Sequence, residues 1–230
     1  HLLCSQSNSP WLVRKVNLKN LPSDIRFNCI QQDKDGFLWI GTVSGIYRYD
    51  GSNVIRFLRD PNDSNSLSHN YASTLSRDPT GNMWIGTFGG SLNMFDRNTG
   101  KIKRMHSKVM GMDRSIFRKI KNSFDHQSTI AATSLEIFKI KDEKTDSILV
   151  FPRNPLNANI TDFIEYEKDK FILTATTGLF SLDWKSRRLT QIVHPLRNNR
   201  FFCIERDGSG NYWVGSQQGL VVLNYDFSLQ

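Results

Sequence analysis

Residues 33–42 read Asp-Lys-Asp-Gly-Phe-Leu-Trp-Ile-Gly-Thr, and this pattern returns twice further along the chain. Residues 78–87 read Asp-Pro-Thr-Gly-Asn-Met-Trp-Ile-Gly-Thr, and residues 207–216 read Asp-Gly-Ser-Gly-Asn-Tyr-Trp-Val-Gly-Ser. Each copy holds an aspartate, a glycine, a tryptophan and a second glycine at fixed spacing. These shared residues are Asp33, Gly36, Trp39 and Gly41, then Asp78, Gly81, Trp84 and Gly86, then Asp207, Gly210, Trp213 and Gly215. Such self-similarity indicates a repeat architecture.

Two weaker copies fill the gap between the second and the last pattern. They are anchored at Ile130 and Ile172, which stand where the other copies have tryptophan. In these copies Gln127 and Asp169 replace the turn glycine. The five anchor positions follow one another at intervals of 41 to 46 residues. The chain therefore contains five copies of one unit.

Each copy reads as four short strands joined by turns, which predicts an all-β β-propeller of four-stranded antiparallel blades. The aspartate is expected to accept backbone N–H bonds in a turn, and the following glycine to adopt a positive φ. The tryptophan is expected to be buried between neighbouring blades, and the second glycine to allow close backbone approach. The predicted blades are residues 20–60, 61–107, 108–152, 153–194 and 195–230, after an N-terminal segment, 1–19, that is compatible with the remnant of a signal peptide and a first strand.

Composition excludes several classes of protein. Of the 230 residues, 38% are hydrophobic and 23% are charged, which is the balance of a folded domain rather than of a disordered chain. No run approaches the roughly 18 apolar residues of a membrane-spanning helix. The five histidines are scattered, without metal-binding spacing, so we predict neither a metal nor a cofactor. The recurring carboxylates belong to turns, so we predict no catalytic residue.

Two of the three cysteines occupy equivalent positions in different copies. Cys29 and Cys203 each lie four residues before the turn aspartate, and Cys4 lies in the N-terminal segment. Equivalent positions in two blades are expected to lie too far apart for a disulfide, which requires Cα atoms within about 7 Å. We therefore predict that Cys29 and Cys203 are reduced core residues.

The net charge of +8 is concentrated in one stretch of the chain. Between residues 101 and 121 the basic residues are Lys101, Lys103, Arg104, Lys108, Arg114, Arg118, Lys119 and Lys121, and Asp113 is the single acid. One interpretation is an ordinary solvated face. The other is an anion-binding surface for sulfate or uronate groups of a glycan, in which case charge reversal at Arg104 and Lys108 is expected to weaken binding without lowering the melting temperature.

The whole series of motifs resembles the regulator-propeller repeat of hybrid two-component sensors from glycan-degrading bacteria. The residues that carry this resemblance are the three aspartate-to-tryptophan patterns, the segment 45–51 and the segment 63–70. The resemblance implies a periplasmic part of an inner-membrane receptor that senses an oligosaccharide and signals to a histidine kinase. It also implies seven blades in one propeller, so five copies favour a piece of a larger propeller over closure with five blades.

The resemblance further implies the partners of this chain. These are an oligosaccharide, further propeller and β-sandwich domains of the same protein, and a second receptor chain in a homodimer, whereas a periplasmic location excludes nucleic acid. Two alternatives stay open at this point. One is a propeller that serves as a protein-interaction scaffold, and the other is a propeller glycosidase or lyase.

Overall fold

The computed structural model describes residues 25–89, 91–105, 116–141, 144–150, 158–193 and 200–228. Over these ranges the chain forms strands and turns and contains no helix. In the same ranges no helix is long and apolar enough to cross a membrane. Residues 1–19 with Cys4, and the basic residues Lys108 and Arg114, lie outside the described residues.

The strands form five antiparallel sheets, here called blades 1 to 5, each built from consecutive strands. Blades 1 and 2 consist of β1 (Phe27–Gln32), β2 (Leu38–Thr42), β3 (Gly45–Tyr49), β4 (Val54–Phe57), β5 (Ala72–Arg77), β6 (Met83–Thr87), β7 (Leu92–Phe95) and β8 (Ile102–Met105). Blades 3 and 4 consist of β9 (Lys119–Asn122), β10 (Thr129–Ala132), β11 (Glu136–Lys141), β12 (Lys144–Leu149), β13 (Ile160–Glu167), β14 (Lys170–Ala175), β15 (Gly178–Asp183) and β16 (Arg188–Ile192). Blade 5 consists of β17 (Phe201–Arg206), β18 (Tyr212–Ser216) and β19 (Gly219–Leu223). The all-β prediction is confirmed, with three strands rather than four described in blade 5.

The first strand of each blade lies innermost. In the packing of the blades, β1 lies beside β5, β5 beside β9, β9 beside β13 and β13 beside β17. The remaining strands of each blade follow outward in chain order. This radial arrangement of sheets is that of a propeller.

The turn between the first two strands forms as its sequence predicts. Gly36, Gly81 and Gly210 have φ values of +89°, +97° and +92°. In blade 4 Asp169 takes this conformation at φ +64°, as expected, but in blade 3 the residue with positive φ is His126 at +56°. The prediction that Gln127 replaces the glycine is therefore wrong, because the turn of blade 3 is one residue longer: the N–H of Ser123 bonds to the carbonyl of Ser128, five residues on.

The second glycine of the pattern allows the close approach that was predicted. A β-carbon placed on Gly86 would lie 2.5 Å from the Cβ of Phe117, which precedes the first strand of the next blade, and 2.6 Å from Cγ2 of Thr74 on β5. Blades 1, 2 and 5 share a register shift in their first strand directly before the residue that pairs with this glycine. The glycine thus leaves room for the side chain of the residue with which it pairs.

The hydrophobic core is divided among the interfaces between consecutive blades. Trp39 and Ile46 of blade 1 pack with Leu75, Ile85 and Phe95 of blade 2 in one cluster. Three further clusters join blades 2 and 3, blades 3 and 4, and blades 4 and 5. Each blade therefore depends on its neighbour for burial of its apolar face.

The three tryptophans occupy equivalent positions, but one of them is not buried. Trp39 and Trp84 are 1% and 6% exposed, as predicted, whereas Trp213 is 43% exposed. Trp213 lies on blade 5, and no described sheet packs against its outward face. The prediction of burial is therefore wrong for Trp213, because its burial requires a following blade.

Candidate functional site

A single carboxylate organises each recurring turn and also holds the tryptophan by a hydrogen bond. Oδ1 of Asp33 accepts hydrogen bonds from the N–H groups of Asp35 and Phe37, both at 3.0 Å. Its Oδ2 accepts a bond from Nε1 of Trp39 at 2.7 Å. The equivalent bonds are Trp84 to Asp78 at 3.0 Å and Trp213 to Asp207 at 2.9 Å. The recurring aspartates are thus structural, and the six-residue spacing between aspartate and tryptophan was the sequence signal of this bond.

Cys29 and Cys203 are free and lie at equivalent positions, but in different surroundings. Cys29 pairs with Gly41 and Cys203 with Gly215. Burial raises the pKa of the Cys29 thiol to about 12. Cys203 is exposed, so its assignment to the core is wrong for the same reason as that of Trp213.

We expect the two thiols to differ strongly in reactivity toward a thiol reagent such as Ellman's reagent. The nucleophile is the thiolate, so at pH 8 Cys203 should react much faster than Cys29, whose raised pKa keeps it protonated. Reaction of a Cys4→Ser variant, followed by absorbance and by peptide mass spectrometry, measures both rates. Equal labelling of the two cysteines in the folded protein would contradict this expectation.

The six described basic residues between 101 and 121 do not come together on one surface. Lys103 and Arg104 lie on β8, the outermost strand of blade 2, and Lys101 directly precedes it. Lys119 and Lys121 lie on β9, the innermost strand of blade 3, and Arg118 directly precedes that strand. The two described groups are therefore separated by the radial width of a blade. Binding of an anion by either group stays a prediction.

Arg104 uses its guanidinium group within the chain. Its Nε donates to the carbonyl of Ser66 at 2.9 Å. Its Nη2 lies within hydrogen-bond distance of the carbonyls of Asp60, Asp63 and Leu67 and of Oγ of Ser66. These acceptors all belong to the connection between blades 1 and 2. Arg104 thus fastens this connection to the outer strand of blade 2.

The lysines of β9 take part in a charged network along the inner strands. Nζ of Lys119 and Nζ of Lys121 lie 3.6 Å and 3.7 Å from the carboxylate of Asp162, which is 2% exposed. Lys121 also lies 3.0 Å from Glu205, and Asp162 accepts the N–H of Ile204 at 3.2 Å. The network joins blades 3, 4 and 5. It gives these two lysines acidic partners from the same chain.

Three aromatic rings, of which that of Phe88 is exposed, form a cluster at the rim opposite the recurring aspartate turns. Phe88 follows β6 at the end remote from Asp78 and is 42% exposed. Its ring centroid lies 5.6 Å from that of Tyr71 and 6.2 Å from that of His69. Aromatic faces of this kind offer an apolar platform for a ligand that also carries polar groups. We call these three residues the aromatic rim; no repeated pattern in the sequence predicts it.

A metal-binding cluster has no counterpart in the described ranges. There, no three His, Cys, Asp or Glu side chains come together in a way that would hold a metal ion. Asp33, Asp78 and Asp207 each hold a turn, and the indole and backbone N–H bonds lower the pKa of Asp207. The carboxylates of all three aspartates therefore serve as hydrogen-bond acceptors within their turns.

Three segments of the chain match a known family of repeats. Residues 20–44, 66–89 and 195–218 match the model of the two-component regulator propeller. These segments are similar to two-component regulator propeller repeats. They coincide with the three strong copies of the pattern, and no curated protein sequence matches the chain.

Solved structures of similar fold include parts of bacterial receptors. The extracellular domain of a protein described as a hybrid two-component system of B. thetaiotaomicron has a TM-score of 0.78 at 23% identity, over 94% of this chain and 31% of that one. A second such domain from the same organism has a TM-score of 0.74 at 18% identity, over 90% of this chain and 28% of that one. The segments that match regulator propeller repeats thus belong to a chain with the fold of these domains. The chain spans less than a third of the length of each domain.

A propeller enzyme is also similar in fold. Virginiamycin B lyase from Staphylococcus aureus has a TM-score of 0.69 at 14% identity, over 91% of this chain and 70% of that one. At this identity the similarity shows the fold alone, since one fold supports many functions.

Proposed function

We propose that the chain is a non-catalytic sensor module of a hybrid two-component system. In this proposal it lies in the periplasm as part of an inner-membrane receptor, binds an oligosaccharide and passes the signal to a histidine kinase across the membrane. The observation that carries the proposal is the match of three blades to two-component regulator propeller repeats. The fold shared with extracellular domains of hybrid two-component systems supports the same role.

The partners follow from this role. We propose that further propeller and β-sandwich domains of the same protein adjoin this module, and that the receptor acts as a homodimer. An anionic oligosaccharide remains the preferred ligand because the chain carries a net charge of +8. The aromatic rim is the surface that we assign to the sugar rings, since apolar sugar faces stack on exposed aromatic side chains.

Calorimetry against a panel of neutral and acidic oligosaccharides tests this function. We expect saturable binding of one class of saccharide, and Phe88→Ala should weaken it about two- to tenfold, the loss of about 0.5–1.5 kcal/mol from one aromatic contact. Phe124→Ala is the matched control, because Phe124 is 53% exposed and lies at the opposite rim. Chromatography of the incubated sugars shows whether any product forms.

Two outcomes would contradict the proposal. Release of product from a saccharide would make the module an enzyme, the alternative for which the lyase fold is a precedent. Absence of binding to every saccharide, together with capture of a defined protein partner, would make it an interaction scaffold.

A further inference from the structure

A cleft opens between blades 1 and 2 at the rim of the aspartate turns. Its volume is about 500 Å³, and Asp35, Phe37 and Arg48 of blade 1 face Gly81 and Arg97 of blade 2 across it. The aromatic rim lies at the opposite end of the blades, so this cleft is a separate site.

Arg48 of strand β3 projects its charge over aromatic rings. The carbon at the centre of its guanidinium group lies 5.0 Å from the ring centroid of Phe37 and 5.6 Å from that of Trp39. The rings of Phe57 and Phe95 both lie at 5.9 Å. These cation–π contacts hold the group in place but use none of its five N–H donors. Among the described residues no oxygen atom accepts a hydrogen bond from this guanidinium group.

The acidic side chains of the cleft are already occupied. Both oxygens of Asp35 accept bonds from Arg97, at 2.8 Å and 2.6 Å. The carboxylate of Asp33 accepts the three turn and indole N–H bonds described above, which also reduce its repulsion of another anion. The Arg48 donors are therefore left without a carboxylate partner in the cleft, and they require an acceptor.

In blade 3 the cation at the equivalent position has a carboxylate partner. Lys139 of β11 pairs with Ile130 just as Arg48 pairs with Trp39, so the two cations occupy equivalent positions. Lys139 bonds at 2.5 Å to Asp169, which lies in the turn of the following blade. The equivalent turn residue opposite Arg48 is Gly81, which has no side chain. The carboxylate that blade 4 supplies to Lys139 is thus missing opposite Arg48, and the side chains that lie nearest to Gly81 are those of two further cations, Lys34 and Arg97.

We propose that this cleft binds the carboxylate group of an acidic saccharide, such as a uronate unit, through Arg48. From within the cleft the carboxylate acts as the anionic partner of Arg48, as Asp169 does for Lys139, and the planar guanidinium fork binds its two oxygens together. Phe37 lines the same cleft and lies against the sugar ring. The choice of a saccharide rests on the proposed function, whereas the choice of a carboxylate rests on Arg48 and Gly81.

Calorimetry with digalacturonate and its neutral methyl ester tests the site. We expect the ester to bind at least tenfold more weakly than the acid. The Arg48→Gln variant should lose at least tenfold in affinity for the acid and little for the ester. Arg48→Lys keeps the charge without the fork, so its affinity for the acid should lie between those of the original protein and of Arg48→Gln. The matched control is Arg59→Gln, which removes the same charge from an exposed arginine and should change the affinity less than twofold.

The outcomes separate this inference from the proposed function. Equal binding of acid and ester that is unaffected by Arg48→Gln would overturn the carboxylate site and leave saccharide sensing in place. An equal loss of affinity in the Arg59→Gln variant would also overturn it, because the attraction would then be long-range. Failure of every saccharide to bind would contradict both proposals. Thermal melting of each variant shows whether the loss of the ring contacts unfolds the protein. If Arg48→Gln is unfolded, the affinity of Arg48→Lys for the acid tests the carboxylate site instead.

Discussion

We expect Trp84→Ala to lower the free energy of unfolding by about 3–5 kcal/mol. Trp84 is 6% exposed and packs with Phe117, Phe138 and Ile140 of blade 3. Its replacement leaves a cavity at an interface on which both blades depend. It also removes the indole donor from Asp78. Both effects act in the same direction.

Trp213→Ala is the matched control for this prediction. Trp213 has the same position in its blade and donates the same bond to Asp207 at 2.9 Å, but it is 43% exposed. Its loss should cost only about 1–2 kcal/mol, because little apolar area leaves water at this site. Trp84→Phe keeps most of the packing and removes only the hydrogen bond.

Urea unfolding followed by far-ultraviolet circular dichroism measures these differences without relying on tryptophan fluorescence. Comparable m-values among the variants are needed before the free energies are compared. If Trp84→Ala and Trp213→Ala cost the same, the bond to the aspartate rather than burial between blades stabilises the repeat. In that case Trp84→Phe would be as destabilising as Trp84→Ala.

The fold was predictable because its information is local and repeated. A turn aspartate, a glycine with positive φ and a tryptophan six residues after the aspartate define one hairpin, and each copy supports the interpretation of the others. Burial was less predictable, since it depends on the neighbouring blade. Trp213 and Cys203 have the local pattern of Trp39 and Cys29, yet they are exposed on blade 5.

The arrangement of the candidate binding residues was harder to predict, because neighbours in sequence need not be neighbours in a propeller. The chain passes from the outermost strand of one blade to the innermost strand of the next, so Lys103 on β8 and Lys119 on β9 are far apart radially. The cleft at Arg48 has the opposite character, since Arg48 and Gly81 come from different blades. Comparison of these positions with Lys139 and Asp169 across the repeats is the signal that reveals it.

We expect Arg104→Ala to lower the free energy of unfolding by about 2–4 kcal/mol, the second largest effect among these variants. The guanidinium group of Arg104 lies within hydrogen-bond distance of four carbonyls and one hydroxyl in the connection between blades 1 and 2. Ser66 and Leu67, which supply three of these acceptors, are 8% and 0% exposed. Their carbonyls lose a charged donor where water has little access.

This expectation replaces the earlier one that charge reversal at Arg104 leaves the melting temperature unchanged. Lys101→Ala is the control, because it removes the same charge next to the same strand from an exposed side chain and should change stability by less than about 0.5 kcal/mol. Arg104→Lys keeps the charge but not the fork, and should recover only part of the stability. If Arg104→Ala and Lys101→Ala have the same melting temperature, the bonds to the connection contribute little to stability. Arg104 is then again a candidate ligand contact. If the melting temperature of Arg104→Ala is well below that of Lys101→Ala, Arg104 stabilises the connection between blades 1 and 2. Any loss of ligand affinity in an Arg104 variant then results from disturbance of this connection and not from a lost contact with an anion.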